Sequence, residues 1–123
     1  MVETARQKRF AQSTNVYAVK ASNYKGLRRG SLVYCRNNWH IHHAKSGGGQ
    51  LLICVDGEGW YQEEGKPAQS LSVGDVVTIP ANVKHWHGAK ADSWFSHIAV
   101  EVPGEDCRNE WCEPVSGTEY NAL

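Results

Sequence analysis

The sequence predicts an all-β fold, a barrel or sandwich of two antiparallel sheets with a flexible N-terminal arm and a short C-terminal tail. Short runs of strand-forming residues recur at regular intervals, and turn residues separate them. No long amphipathic helical pattern interrupts this series. A length of 123 residues suits one domain with a core of its own. We divide the chain into residues 1–30 (arm and first strand), 31–102 (barrel) and 103–123 (tail).

The elements follow one another between clear turn signals. Residues 1–14 are polar and unpatterned, Asn15–Val19 is predicted as the first strand, and Lys20–Gly30 as a loop. Eight further strands are predicted from β-branched, aromatic or alternating apolar residues: Ser31–Arg36, Trp39–His43, Gln50–Val55, Trp60–Glu64, Ala68–Leu71, Val76–Ile79, His85–Gly88 and Trp94–Glu101. Pro103–Gly104 should end the β region, and Trp111 should anchor the polar tail onto the barrel.

Charge and composition exclude several classes of function. Thirteen basic and thirteen acidic residues give a formal net charge of zero, which argues against binding to nucleic acid or to a membrane surface. No apolar run is long enough to span a membrane, and no signal peptide is found, so a cytoplasmic location is expected. The spacing of the four cysteines fits buried thiols better than a disulfide framework or a zinc site.

Histidines occur twice in a His-x-His arrangement on predicted strands. Side chains alternate along a strand, so His40 and His42 lie on one face while His43 lies on the other. His85 and His87 repeat the same spacing far along the chain. Two such strands side by side would direct several imidazoles at one point, as a divalent transition metal requires. We therefore prefer a metal site to two merely polar strand faces.

The spacing around these histidines resembles the small single-domain cupins, a jelly-roll superfamily. The first cupin motif is matched by His40-Ile41-His42, then Gln50, six residues and Gly57. The second is matched by Gly74, Pro80-Ala81-Asn82 and His85. Asn82 replaces the usual glycine, but asparagine can also adopt the left-handed conformation. The resemblance covers roughly residues 31 to 101.

Within the cupins, the chain is similar to a bacterial group that includes manganese-dependent (R)-selective hydroxynitrile lyases and cupins associated with carboxymuconolactone decarboxylases. Trp39, Gly49, Asp75 and the run Lys84–Ala89 carry this likeness. The resemblance implies one divalent metal, with manganese favoured and iron, zinc or nickel as alternatives. The implied metal ligands are His40, His42, Gln50 and His85, and the implied pocket histidines are His87 and His97.

Such a ligand set has chemical consequences. Three neutral imidazoles and one amide leave the charge of the metal uncompensated, so it stays strongly Lewis acidic. His87 shares a strand face with His85, and we expect it to act as a base. His97 lies on the last strand and could equally be a base or a core histidine bonded to the backbone. Either base could take the hydroxyl proton of a cyanohydrin, whose collapse releases cyanide and an aldehyde.

Three functions remain open. The first is a metal-dependent lyase acting on a small hydroxylated or carbonyl substrate. The second is an iron-dependent dioxygenase, and the third is a cupin that binds a metal or small ligand without catalysis. A homodimer is also expected, because several apolar residues should point away from the metal and need cover: Trp39, Ile41, Trp86, Ile98 and Val100.

Overall fold

The computed structural model describes the backbone of residues 16–22 and all of residues 36–123. Within these ranges eleven strands precede one short helix, α1 (Gly117–Asn121). The strands are β1 (Val16–Ser22), β2 (His40–His43), β3 (Ser46–Gly47), β4 (Gln50–Gly57), β5 (Gly59–Glu63), β6 (Gln69–Leu71), β7 (Val76–Ile79), β8 (Lys84–Ala89), β9 (Trp94–Glu101), β10 (Gly104–Glu105) and β11 (Arg108–Trp111). In the described ranges no helix is long and apolar enough to cross a membrane.

The two main sheets are antiparallel, and they confirm the predicted all-β class. One has the strand order β1-β9-β4-β7, and the other has the order β11-β2-β8-β5-β6. Alternate residues of β4 and β9 are buried, among them Leu52, Cys54 and Phe95. They form one apolar core with Tyr61 and Leu71 from the other sheet. Burial of one face of each strand explains the alternating sequence pattern.

The N-terminal part departs from the prediction in one respect. The first strand continues to Ser22, so residues predicted as the start of a loop pair with β9 as far as Trp94. This pairing uses backbone groups, which polar residues such as Lys20 supply as well as apolar ones. The predicted arm, residues 1–14, and most of the predicted strand Ser31–Arg36 lie outside the described residues; Arg36 itself bridges to Gly88.

The prediction that the β region ends at Pro103–Gly104 is wrong. Strand β10 pairs with β3, and β11 pairs along its whole length with β2. All four side chains of β11 are exposed, so the segment lacks the apolar alternation from which strands are recognised. Trp111 is 54% exposed and packs its ring against that of His40, with centroids 4.8 Å apart.

A second apolar cluster lies outside the barrel. Trp39 and Trp86 face away from the histidines, as predicted, and pack edge to face with centroids 6.5 Å apart. Val115 and Tyr120, from the last residues of the chain, bury them almost completely. The chain itself therefore covers these two tryptophans, so they no longer support the predicted homodimer.

The described cysteines are free thiols in different settings. Cys54 is buried in the barrel core, Cys112 is half-buried and Cys107 is exposed. The expectation of buried thiols therefore holds for Cys54 but not for Cys107.

Candidate metal centre

Three histidines converge inside the barrel from neighbouring strands. Strands β2 and β8 pair so that His40 lies directly opposite His85, and their ring centroids are 4.2 Å apart. His42 follows on the same face of β2, 5.2 Å from the ring of His40 and 5.4 Å from that of His85. One ring nitrogen from each of the three lies within 4.8 Å of the other two.

Hydrogen bonds determine which nitrogen each ring presents. Nδ1 of His40 lies 2.8 Å from the carbonyl oxygen of Asn38, and Nδ1 of His85 lies 2.9 Å from that of Val83. Because a carbonyl only accepts, Nδ1 must carry the proton and Nε2 keeps its lone pair. The Nε2 atoms of His42 and His85 are buried without a hydrogen-bond partner among the described residues.

Burial keeps these imidazoles neutral. Burial, together with a smaller effect of the nearby His85, lowers the pKa of His40 from 6.5 to about 3. Burial likewise lowers the pKa of His85 to about 4. The pKa of His42 is also lowered by burial, against the opposing effects of Asn109, Glu101 and Gln50. Neutral imidazoles with free lone pairs are the form that binds a metal ion, so the donor set fits the cation that the sequence predicts.

Gln50 reaches the same space from the opposite sheet. It begins β4, lies close enough to His42 to influence its pKa, and buries an Oε1 atom that has no partner among the described residues. Gly49 permits this placement. Its φ is 96°, and a Cβ there would lie 2.3 Å from the carbonyl oxygen of Ile79. The predicted left-handed residue, Asn82, has φ 66° and accepts and donates hydrogen bonds at Ala44.

His87 and His97 lie beside the three convergent histidines. Their ring centroids are 4.7 Å apart, and that of His87 is 5.6 Å from His40. The backbone N–H of His87 donates to Oδ1 of Asn37, so the Nδ2 group of Asn37 faces Nε2 of His87 at 3.0 Å. Nε2 of His87 must then accept this bond. His97 is buried, and neither ring nitrogen has a partner among the described residues.

Burial also lowers the pKa of His87 and of His97. It lowers the pKa of His97 to about 4. The pKa of His87 is held well below its ordinary value, first by burial and then by the neighbouring His97. Both rings are therefore neutral near pH 7.

The sequence reasoning missed four residues around this site. Asn37 contacts His87, Asn109 contacts His42, Trp111 packs on His40, and the ring centroid of Tyr61 lies 5.9 Å from that of His85. Tyr61 could have been found, since alternation along β5 directs it inward. The two asparagines carried no signal, because a turn and a polar tail are ordinary places for asparagine.

Comparison with known proteins identifies the family. The family model "Cupin domain" matches residues 28–100. This range includes the six site residues predicted from the sequence: His40, His42, Gln50, His85, His87 and His97. The two-sheet architecture of this family agrees with the topology described above. The chain belongs to the cupin family.

Individual relatives add detail. The (R)-mandelonitrile lyase of Granulicella tundricola is 35% identical over 85 residues, which make up 69% of this chain and 62% of that enzyme. This chain thus spans less than two thirds of that relative. A cupin-like protein of Thermotoga maritima superposes with a TM-score of 0.72 at 38% identity, covering 94% of this chain and 76% of that one. A Klebsiella pneumoniae protein with a double-stranded β-helix domain (17% identity, TM-score 0.63, covering 83% and 76%) shares the fold.

Proposed function

We propose that this cupin is a metal-dependent lyase of the hydroxynitrile lyase kind, acting on a small hydroxylated or carbonyl substrate. The observation that carries the proposal is the convergence of three neutral imidazoles beside two further buried histidines. The similarity of the chain to an (R)-mandelonitrile lyase supports the reaction class. His40, His42 and His85 would hold one divalent ion, with Gln50 as fourth ligand and manganese as the proposed metal.

The ligand set is suited to such a reaction. A divalent ion held by neutral ligands supplies Lewis acidity toward a hydroxyl or carbonyl oxygen. Three imidazoles and an amide contribute no negative charge, so the site favours an anionic alkoxide or cyanide over a neutral molecule. The partly apolar barrel interior around Phe95 and Tyr61 suits an organic side chain of the substrate.

We assign different roles to the two further histidines, His87 and His97. Because Asn37 occupies the Nε2 lone pair of His87, we assign the role of base to His97 rather than to His87. His97 would accept the hydroxyl proton of a cyanohydrin. The O–H electron pair then forms the C=O bond, the C–CN bond breaks, and cyanide leaves with its electron pair. His87 would orient the substrate through its Nδ1–H group.

Cleavage of (R)-mandelonitrile by the Mn²⁺-loaded chain, followed as benzaldehyde release, tests this proposal. His97→Ala should keep the metal and lose turnover by a factor of about 10²–10⁴, the usual contribution of a general base. His87→Ala should lose less. His43→Ala is the control, because His43 follows the proposed ligands His40 and His42 on β2 but faces outward, toward Glu110. It should keep both metal and activity.

Other results would favour the other functions. Full activity in His97→Ala with loss in His87→Ala would restore His87 as the base. Bound ferrous iron with oxygen consumption would favour a dioxygenase. Tight metal binding without turnover of any cyanohydrin, hydroxy acid or catechol would favour a binding protein. Unchanged metal content in His40→Ala or His85→Ala would contradict the metal centre itself.

A further inference from the structure

Strand β11, at the edge of its sheet, carries a side chain that contacts the site. Asn109 lies opposite His42 in the β2–β11 pairing, and its Oδ1 atom is 2.8 Å from Nδ1 of His42. The Nδ2 group of Asn109 donates to Oε1 of Glu101 at 3.2 Å. The three residues thus form a chain from a carboxylate through an amide to an imidazole.

His42 differs from the other two convergent histidines in how its proton is held. His40 and His85 donate Nδ1–H to backbone carbonyls two residues earlier, which no substitution can remove. His42 relies on a side chain 67 residues away in sequence. Without that acceptor, a neutral imidazole in contact with water favours the proton on Nε2, and Nε2 could then not bind a metal.

Glu101 determines which end of the Asn109 amide faces His42. An amide can present its oxygen or its nitrogen to an imidazole, and only the oxygen holds the proton on Nδ1. A carboxylate can only accept, so Glu101 draws the NH₂ group of Asn109 to itself and leaves Oδ1 toward His42.

We propose that Asn109 is a positioning residue of the metal centre: oriented by Glu101, it holds the proton of His42 on Nδ1 and leaves Nε2 for the metal. This inference rests on the proposed function only for its effect on metal binding. The tautomer of His42 is a property of the metal-free chain and is measurable there. Asn109 lies beyond residues 28–100, so this part of the site is outside the family model.

The experiment reads the imidazole ¹⁵N shifts of the metal-free full chain and then titrates it with Mn²⁺. In the native chain His40, His42 and His85 should all carry the proton on Nδ1. Asn109→Leu removes both hydrogen bonds at similar volume. It should move the proton of His42 to Nε2, leave His40 and His85 unchanged as internal references, and weaken Mn²⁺ binding about 10–100-fold.

Two further variants separate positioning from simple support of the strand. Asn109→Asp keeps an acceptor and should preserve the Nδ1–H tautomer of His42. Glu110 is next to Asn109 on β11 and forms a 2.6 Å hydrogen bond with His43. Glu110→Leu removes that bond and should change neither the tautomer of His42 nor the metal affinity. If Asn109→Leu does not fold, Asn109→Ser, too short to reach His42, replaces it.

Each outcome either supports or overturns the proposed role of Asn109. An unchanged His42 tautomer in Asn109→Leu would overturn the proposal, and so would an equal change in Glu110→Leu. If the native chain binds no Mn²⁺, the proposed metal centre fails, while the tautomer shift in Asn109→Leu still supports the role of Asn109 in orienting His42.

Discussion

His40 and His85 each turn Nδ1 back onto a carbonyl two residues earlier in the chain. This local arrangement fixes the tautomer without help from distant residues, and it places Nε2 on the inner face of the sheet. In the proposed metal centre, Gln50 would complete the donor set from the opposite sheet as a neutral amide. At the scale of the residue, the absence of a charged ligand among these four side chains is what should make the bound ion strongly Lewis acidic.

Gln50→Glu tests this charge balance. A buried carboxylate costs stability when no cation compensates it, so the metal-free variant should melt at a lower temperature than the native chain. With Mn²⁺ the added charge should strengthen binding, so the increase in Tm on adding Mn²⁺ should exceed that of the native chain. Scanning calorimetry with and without Mn²⁺ measures both. Gln69→Glu, at an exposed position of β6, is the control, and an equal gain in both variants would argue against Gln50 as a ligand.

Helix α1 is short, but it closes the outer apolar cluster. Its N-terminus has a capping box in which Ser116 and Glu119 satisfy each other's backbone groups. Tyr120 packs on Trp86, and its hydroxyl donates to the carbonyl of Ala89 at 2.6 Å. Arg36 stacks over the Tyr120 ring, 4.3 Å from its centroid. A helix of five residues has little stability of its own, so this packing must hold it in place.

Substitution of Tyr120 should therefore lower the free energy of unfolding appreciably, although the helix that carries it is short. Tyr120→Ala should lower the free energy of unfolding by about 3–5 kcal/mol, as for other buried aromatic truncations. Tyr120→Phe should cost about 0.5–1.5 kcal/mol, the contribution of one hydrogen bond. Urea unfolding followed by tryptophan fluorescence measures both, with the exposed neighbour Asn121→Ala as the control. A loss for Tyr120→Ala no greater than that of the control would show that the helix does not cover the tryptophans.

At the scale of the whole molecule, strands β4, β9 and β7 carry apolar side chains on the outer face of their sheet. Leu51 and Ile53 of β4 and Ile98 of β9 are half-buried, whereas Val55 and Val76 are 44% and 55% exposed. Strand β7 is at the edge of this sheet in the described strand order. Apolar side chains beside an open strand edge favour association with a second copy. The homodimer therefore stays a prediction, now assigned to this face.

Sedimentation at micromolar concentration should show a dimer for the native chain. Val76→Glu places a charge on the edge strand of that face and should shift the equilibrium to monomer, because burying an unpaired carboxylate is unfavourable. Ser70→Glu, exposed on β6 of the other sheet, should leave the dimer intact. A native chain that sediments only as monomer, or a Val76→Glu dimer as stable as the native one, would contradict this assignment.

The sequence determined the barrel strands and the inward direction of the site histidines. Alternation with a period of two puts His40 and His42 on one face, and the same rule puts His85, His87 and His97 inside. The turn signals at Asp56–Gly59 and Pro80–Asn82 separate strands that the structure contains. Both kinds of signal are local, since they depend on residues a few positions apart.

Only the tertiary structure decided what surrounds those histidines. Asn37 meets His87 across 50 positions, and Asn109 meets His42 across 67. Strand β11 pairs through backbone groups and exposes its side chains, so no apolar pattern marks it as part of the sheet. Likewise, alternation places Trp39 and Trp86 outside the barrel, but only the folded chain shows that its own C-terminal residues cover them. Such contacts join distant segments, and no local periodicity encodes them.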